Sequence, residues 1–99
     1  MIHLDSDIYA QAGALIAPVY GKSHACFVAS GMAAVELALE FLGVRPGQSV
    51  IVPDLVCHTV ASAILRVGAR PRFVVVGPPL LPDVQDIRDL IDMETAAVI

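Results

Sequence analysis

The spacing of apolar residues changes repeatedly along the chain, and each change marks an expected element. Ile8, Ala12, Leu15 and Ile16 recur at helical intervals behind a cap at Asp5 or Ser6, until Pro18 and Gly21 end the helix. His24 to Ser30 reads as a short strand. After the Ser30-Gly31 break, a helix places Val35, Ala38 and Leu42 on one face and turns Glu36 and Glu40 elsewhere, with Gly43 as its stop. Pro46-Gly47 introduces Val50 to Val52, an apolar run without alternation, as in a strand covered on both faces. Asp54 is the expected cap of a helix carrying Val60, Ala63, Ile64 and Val67 and closed by Gly68. Arg72 to Val76 forms the next strand, Gly77 to Pro82 a turn-rich connector, and Asp83 caps a helix marked by Val84, Ile87, Leu90 and Ile91. A last strand begins in Ala96-Ala97-Val98-Ile99.

The sum is one α/β domain over residues 1–99: a helix and loop over 1–23, then a βαβαβαβ series over 24–99, cut short in its last strand. Right-handed crossovers turn such a series into a three-layer αβα arrangement around a mostly parallel sheet.

Composition changes this picture in one respect. At 99 residues, 57% hydrophobic and 16% charged, with mean hydropathy +0.74, the chain has too few polar residues to cover a domain of its size. A partner subunit or the rest of a longer polypeptide is expected to cover it. No apolar run reaches the roughly 18 to 20 residues of a membrane span, and Met1 to Asp7 carries neither a basic segment nor an apolar signal core, so a cytoplasmic location is expected. A net charge of -4 and a pI near 5.0 give no footprint for nucleic acid. Cys26 and Cys57 make no disulfide framework and read as free thiols.

Candidate chemistry centres on Gly31, Met32 and Ala33, which open a helix where unpaired amides and the helix dipole favour an anion. A glycine used only for a tight strand-to-helix turn gives the same sequence, and both readings stay open. Gly21-Lys22-Ser23 resembles the end of a Walker A loop, but Ile16 stands where the earlier glycine belongs and a strand follows instead of a helix. Lys22 is read as a solvated loop charge. His24, Cys26, Cys57 and His58 are metal-capable types in no standard zinc spacing, so no metal site is assigned; Cys26 is expected in the core, and Cys57 and His58 at a helix start. As successive helical residues, Cys57 and His58 diverge and make no catalytic dyad, although the helix start would lower the thiol's pKa and keep the imidazole neutral. Asp83, Asp86, Asp89 and Asp92 form an acidic stripe, read as a solvated helix face.

From His24 onward the chain resembles the N-terminal part of the large domain of DegT/DnrJ-type sugar aminotransferases, fold-type I pyridoxal phosphate enzymes. The pieces are His24 to Ala34, Leu42 to Pro53, Ala63 to Leu65, Val67 to Val74 and Thr95 to Ile99, in that order and spacing. The resemblance implies that Gly31, Met32 and Ala33 hold the phosphate of pyridoxal 5'-phosphate, with Met32 where a threonine is common. It implies that Cys57 occupies the place of a ring-stacking aromatic residue, for which adjacent His58 is the candidate substitute. The family's cofactor-anchoring lysine, the aspartate at the pyridine nitrogen and the small C-terminal domain would all lie beyond Ile99, so no catalytic residue is assigned within this chain. In the intact enzyme the resemblance implies an amino-acid donor such as glutamate, a nucleotide-linked keto sugar as acceptor, and a homodimer. The chain alone is expected to be inactive. The alternative from another class is a small non-catalytic α/β module that binds a phosphate-bearing ligand or a partner protein.

Overall fold

The computed structural model describes residues 6–99. Helix α1 (Ser6–Ile16) passes into a 3₁₀ turn over Ala17–Tyr20, with Pro18 withholding the amide that an α-helix would need there. Ser6 opens the helix, and Asp5 lies outside the described residues. Then follow α2 (Gly31–Phe41), β1 (Ser49–Pro53), α3 (His58–Arg66), β2 (Arg70–Val74), a two-residue antiparallel pair β3 (Val76–Gly77) and β4 (Leu81–Pro82), α4 (Val84–Leu90) and β5 (Thr95–Val98). The main sheet has the order β2-β1-β5 and is parallel throughout. This is part of a three-layer αβα domain, as the sequence implies.

The two faces of the sheet can be followed from β1. Ser49, Val50, Ile51 and Val52 are all buried, the last three completely. Because successive strand residues point to opposite faces, four buried positions in a row require cover on both sides. On one face Val50 and Val52 join Leu39 of α2, Ile64 of α3, Val44 and Ala69 in the core. Helix α4 lies against β2, where Leu90 borders a cleft with Phe73 and Val74. Each large apolar side chain of this core contributes about 1.5–3 kcal/mol by leaving water. Ser49 is the exception: its buried Oγ has no hydrogen-bond partner among the described residues, beside an irregularity in the β1–β5 pairing.

Several expectations are corrected. His24 to Ser30 is not a strand: no described strand pairs with it, and a strand exists only through its ladder. Cys26 is consequently exposed rather than in the core. The buried residue of α2 is Leu39, while Leu42 is 67% exposed, because the chain folds back there and the Val44 amide donates to the Leu39 carbonyl at 3.0 Å. Asp54 does not cap α3. Its backbone amide donates to Val74 and its Oδ1 accepts from the Val76 amide, both at 2.9 Å, so it fastens the end of β1 to the exit of β2. The strand expected at Arg72–Val76 begins at Arg70, whose amide donates to the Gln48 carbonyl. Asp83 does cap α4, accepting from the Gln85 amide at 2.7 Å, but Asp92 lies past the helix end and leaves the acidic stripe.

The amino ends of the strands are tied together by charge. Arg70 pairs with Glu94, and Arg72 with Asp92, linking β2 to the turn before β5 on the far side of β1. Asp92 also accepts from the Glu94 amide at 2.9 Å, and this contact, followed by the Arg72 charge, holds its carboxyl below the usual carboxylate value. The same end contains the tightest glycine. Gly68 has φ +81°, and a Cβ there would stand 3.0–3.1 Å from the ring of Pro46.

Gly68→Ala is expected to lower stability by about 1–2 kcal/mol, since an L side chain is strained in that backbone region. Urea denaturation measures this. Asp92 has a depressed folded pKa, so its stabilisation is present above the ordinary carboxylate value of 3.8 and is lost as pH falls through the folded value. Asp92→Asn should therefore flatten the fall of the urea midpoint with acidification below about pH 4, and an unchanged profile would remove the carboxylate from this role.

Candidate functional site

Connectivity gathers three helix starts at one end of the sheet. Helix α2 leads into β1, so its C-terminus lies by the amino end of β1 and its N-terminus by the carboxyl end; α3 starts directly after β1 at that same end, and α4, which leads into β5, is oriented like α2. The chain moves from β1 to β2 and then back across β1 to β5. In open α/β sheets such a reversal, at the carboxyl ends of the strands, is where ligands bind.

At the start of α2, Ser30 is the N-cap with extended backbone, and its Oγ accepts from the Ala33 amide at 3.1 Å. The Ala34 amide donates to the Ser30 carbonyl at 3.0 Å. The Gly31 and Met32 amides thus remain the open donors of the first turn among the described residues. Ser30 keeps one more capability: a hydroxyl that accepts from an amide still has its own proton to donate. Gly31 is informative for what does not require it. Its φ lies outside the left-handed region, and an added Cβ would meet nothing within 4 Å. Neither turn geometry nor packing among the described residues calls for glycine there.

The segment feeding this turn is steadied by α1. The Tyr9 and Phe27 rings stand 6.4 Å apart at 49°, and Gly13 faces the Ala25 carbonyl so closely that a Cβ would come within 2.8 Å of its oxygen. Between residues 24–28 and α2 runs an apolar cleft of about 500 Å³ bordered by His24, Cys26, Val28, Leu37 and Phe41. His24 and Cys26 therefore sit in a cleft apart from Cys57 and His58, and no three His, Cys, Asp or Glu side chains of the described residues converge as a metal site.

Cys57 and His58 occupy the start of α3, both exposed. Cys57 is the N-cap residue but makes no side-chain cap. Its Sγ instead accepts from Thr59 Oγ1 at 3.2 Å, and this hydrogen bond, with a further one from the Thr59 backbone, lowers the thiol's pKa from its ordinary 9.0. A helix start was reason enough to expect the direction; the identity of the donor was hidden, because a threonine two residues along becomes a partner only once the helix begins. Ser30 was legible as the end of a strand and is instead the cap that orders the first turn of α2. Lys22, the single lysine, is exposed in the loop after the 3₁₀ turn.

No helix among the described residues is long and apolar enough to cross a membrane. The model of the family described as DegT/DnrJ/EryC1/StrS aminotransferases matches residues 13–99. GDP-perosamine synthase of Vibrio cholerae is 36% identical over 76 residues, covering 76% of this chain and 21% of that protein. The PLP-form structure of Spr1654 from Streptococcus pneumoniae, titled a sugar aminotransferase, superposes with TM-score 0.65 at 34% identity over 68% of this chain and 17% of its own. The structure of 3-amino-5-hydroxybenzoic acid (AHBA) synthase superposes with TM-score 0.81 at 29% identity, over 93% of this chain and 23% of its own. The chain spans about a fifth of the length of the curated relatives it matches.

Replacing Thr59 by Val should raise the pH midpoint of Cys57 alkylation toward 9.0, followed by mass spectrometry of the labelled peptide. An unmoved midpoint would show that the hydroxyl does not support the thiolate.

Proposed function

The chain belongs to the DegT/DnrJ/EryC1/StrS aminotransferase family, and on that premise we propose that it supplies the phosphate end of the pyridoxal 5'-phosphate cradle in an aminotransferase acting on a nucleotide-linked keto sugar. The observation that carries this reading is Gly31: a glycine that neither backbone nor packing requires, beside two open amides at a helix start. The relatives' printed names supply the substrate class, since GDP-perosamine synthase is a nucleotide-sugar enzyme by name and Spr1654 is titled in its PLP form.

When bound, the cofactor supplies an electron sink for moving an amino group between donor and acceptor. This chain's residues bind and orient it. The Gly31 and Met32 amides donate to the phosphate, which the positive end of α2 further favours. Ser30 donates its hydroxyl proton to the same anion while holding the Ala33 amide, so Ala33 serves by fixing the turn rather than as a free donor. Backbone donation makes Met32 an acceptable residue where a hydroxyl is common. Cys57 and His58, on the neighbouring helix start, border the ring: the His58 imidazole offers a flat face, and the Cys57 thiol, held by Thr59, offers a polarizable edge. The covalent anchor comes from elsewhere in the family fold, because Lys22 precedes the 24–29 segment rather than following the cradle. An amino acid such as glutamate serves as donor, the enzyme works as a homodimer, and it acts in the cytoplasm.

Amide resonances of Gly31 and Met32 should shift when pyridoxal 5'-phosphate is titrated into the protein and stay in place with pyridoxal, which lacks the phosphate. Gly31→Val, which fills the open space with a side chain, should weaken phosphate-dependent binding about tenfold, or about 1.4 kcal/mol. Equal responses to both compounds, or to neither, would overturn the cradle. The 99-residue chain alone should show no transamination.

A further inference from the structure

Helix α1 contributes no residue to the core around Val50 and Val52, yet it touches the segment that ends in the turn at Ser30–Ala33. The chain leaves α1 through the 3₁₀ turn and reverses at Gly21 (φ +63°), where the Gly21 and Lys22 amides donate back to the Pro18 and Ala17 carbonyls at 3.0 and 2.9 Å. Residues 24–29 therefore return along the helix, and the contacts run in opposite order: Tyr9 meets Phe27, and Gly13, about one turn further on, meets Ala25. Tyr9, Gly13 and Ala17 recur every four residues and so share one face of α1, on which Gly13 and Ala17 are buried.

Gly13 is the informative member. Its φ lies outside the left-handed region, and inside a helix alanine is favoured over glycine, so local preference argues against the residue found there. The Ala25 carbonyl supplies the reason. An added Cβ would stand 2.8 Å from its oxygen and 3.7 Å from its carbon, and because the obstacle is backbone, no change of rotamer relieves it. Either α1 or the segment would have to move. Five residues beyond Ala25 lies Ser30, whose extended backbone and Oγ cap set the direction of the Gly31 and Met32 amides. Further along α2, Leu39 is fixed in the core. The turn is thus held between two anchors, α1 at Ala25 and the core at Leu39.

We infer that Gly13 is a positioning residue for the cofactor's phosphate: by letting α1 seat against the Ala25 carbonyl, it sets where Ser30 presents the Gly31 and Met32 amides. The inference rests on the cradle proposed at Gly31 and Met32. Tyr9 holds the same register through the Phe27 ring. Both residues act through the segment and not on the anion itself.

The test compares the full chain with Gly13→Ala, and with Leu15→Ala on the exposed side of the same helix as control, by amide spectra and by binding of pyridoxal 5'-phosphate and of pyridoxal. Gly13→Ala should move the Gly31 and Met32 amide resonances of the free protein and leave those of Ile51 and Val52 in place. It should also reduce the preference for pyridoxal 5'-phosphate over pyridoxal about tenfold. A contact that only holds the helix would lower stability and leave that preference alone, since pyridoxal has the same ring without the phosphate. Tyr9→Leu removes a ring contact and adds no atom at the close approach, so it should move the same two amides even where Gly13→Ala does not fold. Unmoved Gly31 and Met32 resonances in folded Gly13→Ala or in Tyr9→Leu, an unchanged preference, or an equal effect of Leu15→Ala would overturn the inference. A wild-type chain without the preference would count against the proposed cradle instead, and the amide shifts would still decide the role of Gly13.

Discussion

Burial of β1 on both faces is the constraint on which the rest of the structure depends. Five residues, Ser49 to Pro53, cannot satisfy their backbone groups alone, so β2 and β5 pair on either side. Their side chains cannot stay in water at low cost, so α2 and α3 close over Val50 and Val52 through Leu39 and Ile64. Once those helices pack antiparallel to β1, their N-termini must meet at the carboxyl end of the sheet. The position of the turn at Ser30–Ala33 and of Cys57 and His58 is thus a consequence of core packing rather than a separate design.

The two ends of the sheet divide the work. The amino end holds the Arg70–Glu94 and Arg72–Asp92 pairs and the Gly68–Pro46 contact, all of which bind β2 and β5 to β1. The exposed pairs contribute modestly in water, and their value lies in fixing the register of neighbours that β1 separates. Among the described residues the carboxyl end keeps open amides, a polarised thiol and a glycine without a packing role. Groups left unsatisfied by folding are those available to a ligand.

Strong local patterns were legible. The run Val50–Val52, the caps at Gly43 and Asp83, the helix through Ala63 and Ile64, and the order of motifs that resembles the aminotransferase family all survive in the structure, because periodicity and capping act over a few residues. Assignments that needed a distant partner failed. His24–Ser30 has strand composition but no neighbour to pair with among the described residues. Asp54 has the look of a cap, yet Val74 and Val76, some 20 residues away, claim it. Leu42 fits the helical period, but the Val44 amide turns the chain back to Leu39 before Leu42 can be buried.

By itself the sequence determined the four helices, the three strands of the parallel sheet and the family, since each is written in spacing between near neighbours. Only the tertiary structure decided that Ala33 is held by Ser30 while Gly31 and Met32 stay open, and that Thr59 supports the Cys57 thiol. Those outcomes depend on which way each backbone group faces after strands and helices have paired. That direction is a property of three-dimensional contacts, and local spacing does not contain it.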